Sequence, residues 1–189
     1  MSGNPEGRSG PAIGFLETSS IARGIDATDA MMKMADVELL TTTIVPRGKY
    51  LIMIGGRVAD VEQSMRAGRE SAAGTVVDEF LIQNAHPQLA AAIKGRVKVR
   101  ELGAIGVIET REVASAIYAG DAAAKAAAVT LIEARNQPGA KGLVVLTGDV
   151  GAVRAAVAAG VATVKKDGML VAEVVIPRAH EALLASLTS

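Results

Sequence analysis

No cysteine occurs in the 189 residues. Disulfides, thiolate metal sites and a cysteine nucleophile are excluded at once, and a reducing compartment suits the chain. Tryptophan is also absent, and aromatic residues make up only 2%. A core here is built from Ala, Val and Ile, which packs elements closely but supplies few large anchors. Net charge is missing too: 20 basic and 20 acidic residues cancel. Without a basic excess or stripe, no nucleic-acid partner is expected. No uncharged apolar run approaches the roughly 18 residues of a membrane span, so no membrane partner is expected either. The opening "MSGNPEGRSGP", residues 1–11, is polar and rich in Gly and Pro. It lacks the apolar stretch of a signal peptide and reads as a flexible tail.

What the chain does have is apolar content. Half of it is hydrophobic, and its mean hydropathy is +0.32. That is enough to bury a core and fits a protein that hides surface in an assembly. The length suits one large domain or two small ones.

The second possibility is favoured by an internal repeat. "AIGFLETSSIARGIDATDAMMKMADVELL" (12–40) returns as "AIGVIETREVASAIYAGDAAAKAAAVTLI" (104–132). Glu17, Thr18, Asp29, Lys33 and Val37 recur 92 positions later, at Glu109, Thr110, Asp121, Lys125 and Val129. After a two-residue insertion near Lys165–Asp167 the spacing becomes 94, which aligns His86 with His180. A period this long is not a solenoid unit and means two tandem domains. They are placed at 12–95 and 104–186, joined by a linker at 96–103.

Each domain reads in the same order. A short apolar strand is followed by polar residues that suit a helix cap, Thr18 to Ser20 in one copy and Thr110 in the other. An amphipathic helix follows, with Ile21, Ile25, Met31 and Met34 as its expected inner face. Two strands flank a loop at 44–48, or 136–141 in the second copy. A second helix has Val58, Val61 and Met65 as its inner stripe. A last strand and a short helix after the His complete the domain. The order β-α-β-β-α-β defines an α+β fold of two split-βαβ, ferredoxin-like domains, antiparallel sheets with helices on one face. Gly24 and Gly68 fall inside helices and mark close backbone approaches.

Chemistry is poorly supported. Gly48-Lys49 invites a phosphate-loop reading, but a strand follows rather than a helix, so no helix N-terminus faces an anion. His86 and His180 stand at equivalent points of separate repeats, which favours a structural role over metal ligation. Glu17 and Glu109 end equivalent strands, and two copies favour packing over catalysis. No cofactor, no metal and no catalytic residue is expected.

The ordered motifs "AIGFLETSSIARGIDATDAMMKMADVELL", "IGGRVADVEQSM" and "IPRAH", most of them present twice, resemble bacterial microcompartment shell proteins. The likeness runs from Ala12 nearly to the end. Two copies in one chain resemble the tandem-domain, trimer-forming class (BMC-T), and within it the iron–sulfur branch of propanediol-utilisation compartments. The resemblance implies a non-enzymatic subunit in a cytoplasmic microcompartment shell. Three chains would form a flat pseudohexamer that tiles with its own copies and with other shell proteins. A central pore would pass small metabolites, anionic ones included. Pore-lining positions implied are Val45, Pro46, Arg47 and Gly48, with Pro138, Gly139 and Ala140 in the second copy. Edge positions implied are Lys33, Lys125 and Arg178, with Asn84 standing where the first repeat departs from the edge arginine, and His86 and His180 beside them. The iron–sulfur branch holds its cluster through a Cys at this loop, about where Val45 stands, so that electron-transfer role does not carry over. Two rival readings stay open: a trimer that senses a small molecule bound between subunits without forming a shell, and an enzyme using Glu17 or Glu109 with a His.

Overall fold

The computed structural model describes residues 11–188. The expected tail, residues 1–11, lies outside them except for Pro11. The chain divides into two compact units, Met1–Pro87 and Gln88–Ser189.

The first unit contains β1 (Ala12–Thr18), α1 (Ile21–Met34), β2 (Val37–Val45), β3 (Lys49–Gly56), α2 (Val58–Ala72) and β4 (Val76–Ile82). Its sheet order is β2-β3-β1-β4, and each neighbouring pair is antiparallel. Strand β1 alternates as strands must. Gly14, Leu16 and Thr18 face the two helices: a side chain at Gly14 would strike Met65 and Val61 of α2, and Thr18 lies under Gly24 of α1. Ala12, Leu16, Ala27, Met31, Ile52, Ile54, Val61 and Met65 form one buried cluster between sheet and helices. Each large member removed from water contributes about 1.5–3 kcal/mol. On the other face Phe15 stacks on Phe80, its cross-strand partner, with ring centroids 4.7 Å apart.

The inner face of α1 differs from the expected one. Its buried residues are Gly24, Ala27 and Met31, while Ile25 and Met34 are 55% and 52% exposed. The helix turns its small residues inward because Tyr50 fills the space above Gly24: an added Cβ there would sit 2.5 Å from the ring. The second unit reverses this size match. Gly142 replaces the tyrosine on the strand and faces Ala116 on the helix. Gly68 packs against Met31 in the same close manner. The stripe of α2 is as expected, with Val61 and Met65 buried and Val58 packed against the cluster.

Ser20 caps α1 by accepting from the Arg23 N–H at 3.3 Å. In the second unit the cap position is Glu112, without a side-chain cap bond. Thr110, expected as the cap, instead donates its hydroxyl to the Glu112 carbonyl at 2.7 Å, as Thr18 does to Ser20 at 2.9 Å.

Helix α3 (Pro87–Lys94) opens the second unit, followed by β5 (Ala104–Thr110), α4 (Val113–Ala126), β6 (Thr130–Asn136), β7 (Gly142–Gly148), α5 (Val150–Lys165), β8 (Leu170–Ile176) and α6 (Ala182–Thr188). The sheet order, β6-β7-β5-β8, repeats the first. The sequence reading ended the first domain at residue 95, but α3 packs with the second unit. Its Gln88 amide donates to the Val129 carbonyl at 3.0 Å and accepts from the Leu131 N–H at 2.8 Å, satisfying the open edge of β6. Helices α4 and α5 cover one sheet face. The other, carrying Ile105 and Val145, is covered by Val99 and Leu102 of the linker and Leu183 and Leu187 of α6.

Candidate functional site

The hairpin turns β2–β3 and β6–β7 have one backbone shape. Val45 pairs with Lys49 at the base of the first. At the base of the second the Gln137 N–H donates to the Lys141 carbonyl at 2.7 Å. Three residues bridge each base, Pro46–Gly48 and 138–140. The last two of each take left-handed conformations: Arg47 (φ 68°) and Gly48 (φ 70°), Gly139 (φ 86°) and Ala140 (φ 65°). Each turn thus forces one non-glycine residue into a region that L side chains disfavour by about 1–2 kcal/mol.

Pro46, Arg47, Gly48, Pro138 and Gly139 are exposed, and Ala140 is half-buried. Val45, expected to line a pore, is only 5% exposed: its side chain points into the unit, and its neighbour Ile44 is 62% exposed. Strand alternation makes that exchange unavoidable.

A repeated ion pair lies beneath the turns. Lys49 pairs with Glu17 and Lys141 with Glu109. Glu17 stands opposite Leu51 and Glu109 opposite Leu143, so each lysine is the diagonal cross-strand neighbour of its glutamate. Among the described residues Arg47 makes no ion pair or hydrogen bond.

The expected edge residues lie at the other end of each sheet. The turns adjoin the Thr18 and Thr110 ends of β1 and β5, whereas Asn84 and Arg178 follow β4 and β8 beside the opposite ends. Lys33 donates to Asp29 at 2.5 Å, and Lys125 to Asp121 at 2.5 Å, each one helical turn back. Such pairs add a few tenths of a kcal/mol, and a cation in a last helical turn suits the helix dipole. The repeats differ in burial: the Asp29 side chain is 60% exposed and that of Asp121 11%. Asn84 (φ 57°) forms a left-handed turn and is exposed, as is Arg178. His86 is half-buried before α3. His180 uses Nδ1 to accept from the Ala182 N–H at 3.2 Å, at the start of α6. The described residues contain no cluster of three or more His, Asp or Glu fit for a metal ion. None of their helices is long and apolar enough to cross a membrane.

Two split-βαβ units in one chain, with matching turns at one sheet end and matching polar positions at the other, define a tandem-repeat scaffold. The BMC domain model matches residues 12–85 and again 104–179, and the chain belongs to that family: it is a bacterial microcompartment shell protein of the tandem-domain type. It is 40% identical over 174 residues to the bacterial microcompartment shell protein PduT of Citrobacter freundii, covering 91% of this chain and 95% of the relative. A 77-residue stretch is 43% identical to the shell protein EutM of Salmonella typhimurium, covering 41% of this chain and 80% of EutM. The crystal structure of a microcompartments protein from Desulfitobacterium hafniense DCB superposes with a TM-score of 0.88 at 46% identity, covering 92% of this chain and 98% of that one. PduT and EutM are structural shell proteins, and this chain is a shell protein rather than an enzyme.

Sequence reasoning missed the partners of the site residues. Lys49, Lys141 and the two aspartates all recur at the repeat spacing, and that recurrence was the available signal. Glu17 and Lys49 are 32 positions apart, and only the β1–β3 register brings them together.

Proposed function

We propose that three copies close into a flat pseudohexameric disc whose centre is ringed by the turns 46–48 and 138–140. The discs tile into a shell, with copies of themselves and with other shell proteins. Lys33, Lys125, Asn84, Arg178, His86 and His180 stand along the tiling edges. Small metabolites pass through the centre, and anionic ones are favoured.

The observation that carries this reading is the pair of matching turns, one of which presents an exposed, unpaired Arg47 on a stiff three-residue bridge. Guanidinium groups brought together around an axis attract carboxylates and phosphates, which they bind in a bidentate fashion. The separation of turns and edge residues to opposite sheet ends suits a disc with a central opening and an outer rim. Closed symmetry fits a chain whose two halves repeat one another.

The test joins solution mass to electron microscopy. A mass of three chains, with flat discs that extend into sheets, is the expected result. A monomer, or a trimer that never extends under any salt condition, overturns the reading. The domain boundaries enter the same proposal: each shell domain spans its sheet and two long helices, and α3 with residues 96–103 belongs with the second.

A further inference from the structure

The turns and the residues that directly follow them hold three positive side chains per chain: Arg47, Lys49 and Lys141. Only Arg47 lacks a partner. We propose that Glu17 and Glu109 are specificity-determining residues that cancel the charge of Lys49 and Lys141, leaving Arg47 as the one net positive charge offered to a carboxylate- or phosphate-bearing metabolite. The proposal rests on the pore reading above and adds to it the residues that set the strength of anion selection.

Three observations support it. The pairs occupy equivalent positions in both repeats, each lysine immediately following its three-residue turn. They are shielded to different degrees: Glu17 is 13% and Lys49 29% exposed, Glu109 31% and Lys141 49%. A partly buried pair of opposite charges presents a dipole whose field falls away faster than that of a lone charge, while exposed Arg47 acts over about a Debye length of roughly 8–10 Å. The second turn, Pro138 to Ala140, carries no charge of its own. Its net contribution is zero once Lys141 is paired. Selection therefore alternates between a charged and a neutral turn instead of being equally strong at every turn.

The experiment is the anion-to-cation permeability ratio of assembled discs in a planar lipid bilayer, read from the reversal potential under a potassium chloride gradient. Glu17→Gln frees the Lys49 charge and raises the ratio about twofold. Lys49→Met frees the Glu17 charge and lowers it by a similar factor. The double variant returns to the wild-type value. Glu109→Gln and Lys141→Met repeat the test at the more exposed pair, which matters if Glu17→Gln fails to fold. A pair that serves folding alone moves both single variants in the same direction, and that result overturns the proposal. If Arg47→Ala changes the ratio and no pair variant does, the pore reading stands and the role of the glutamates falls. If no variant changes it, Arg47→Ala included, the pore reading fails and the proposal fails with it.

Discussion

Arg96 of the linker donates through Nε to the Glu133 carboxylate of β6 at 3.3 Å, and Arg135 donates to the same oxygen at 3.0 Å. Glu133 is 1% exposed. The other end of Arg96 donates to the Ser186 carbonyl of α6 at 3.0 Å, so one side chain ties linker, sheet and last helix together. The carboxylate is buried by a bulge in β6 between Leu131 and Glu133 that breaks the in–out alternation. Glu133→Ala leaves two guanidinium groups around an uncompensated void. A loss of about 2–3 kcal/mol is expected, below the range for wholly buried pairs because water reaches both arginines. Urea unfolding of the purified protein reads it. Glu133→Gln keeps an acceptor and loses less.

Ser64 of α2 gives the opposite sign. It is 0% exposed, and its hydroxyl finds no hydrogen-bond partner. The equivalent residue of the second unit is Ala156, also fully buried. Ser64→Ala removes an unsatisfied group and improves helix propensity, so stability rises by about 1 kcal/mol. A lower midpoint in thermal unfolding contradicts this account.

The helical glycines Gly68 and Gly160 are equivalent in the repeat and unequal in surroundings. A Cβ on Gly68 meets Met31 Cγ at 2.5 Å and Leu16 Cδ2 at 3.2 Å, both side chains fully buried, so Met31 must repack. On Gly160 it meets the Ala119 carbonyl oxygen at 2.7 Å, which belongs to the backbone of α4. Gly68→Ala is expected to cost about 1 kcal/mol, because the gain of about 1 kcal/mol in helix propensity only partly offsets repacking of the buried methionine. Gly160→Ala forces the helices apart and costs about 2–3 kcal/mol. Chemical unfolding of the two variants side by side measures the difference.

Lys33→Ala removes the head group proposed to meet a neighbouring disc. In α1 it removes only an exposed pair with Asp29, worth a few tenths of a kcal/mol. The unfolding midpoint and the solution mass are expected to stay unchanged, while electron microscopy of the variant shows discs that no longer extend into sheets. Sheets of normal extent in this variant move the tiling contact elsewhere.

Arg47→Gly separates the shape of the turn from its chemistry. The left-handed conformation at φ 68° suits glycine, so stability rises by about 0.5–1 kcal/mol after allowing for the greater freedom of glycine in the unfolded chain. The anion preference falls in the same protein. A variant that is less stable shows that Arg47 makes contacts in the assembly that hold it in place.

Much of the fold was legible because the sequence states it twice. The order of elements along the chain, both long helices and the position of the turns followed from the repeat and from apolar periodicity. The inner face of α1 did not. Ile25 and Met34 look like core residues, and only the Tyr50 ring across from Gly24 turns the helix the other way. The allegiance of α3 was equally hidden, since the Gln88 amide reaches β6 some 40 residues further on. At the turns, alternation along β2 put Val45 inside, and no sequence pattern revealed that Arg47 would take a glycine conformation. The glutamate–lysine pairs depended on cross-strand register, which a linear reading does not contain.

The turn pair has a further consequence for modification of the chain. Arg47-Gly48 and Gly139-Ala140 place glycine at alternate positions of one shape, and both bridges close onto the same strand register. The three-residue bridge is thus an interchangeable module. Moving Pro46–Gly48 into positions 138–140, or the reverse, gives chains with two, one or no arginines on an unchanged frame. Charge at the turns becomes a quantity adjustable in whole steps, independent of the packing that folds the protein.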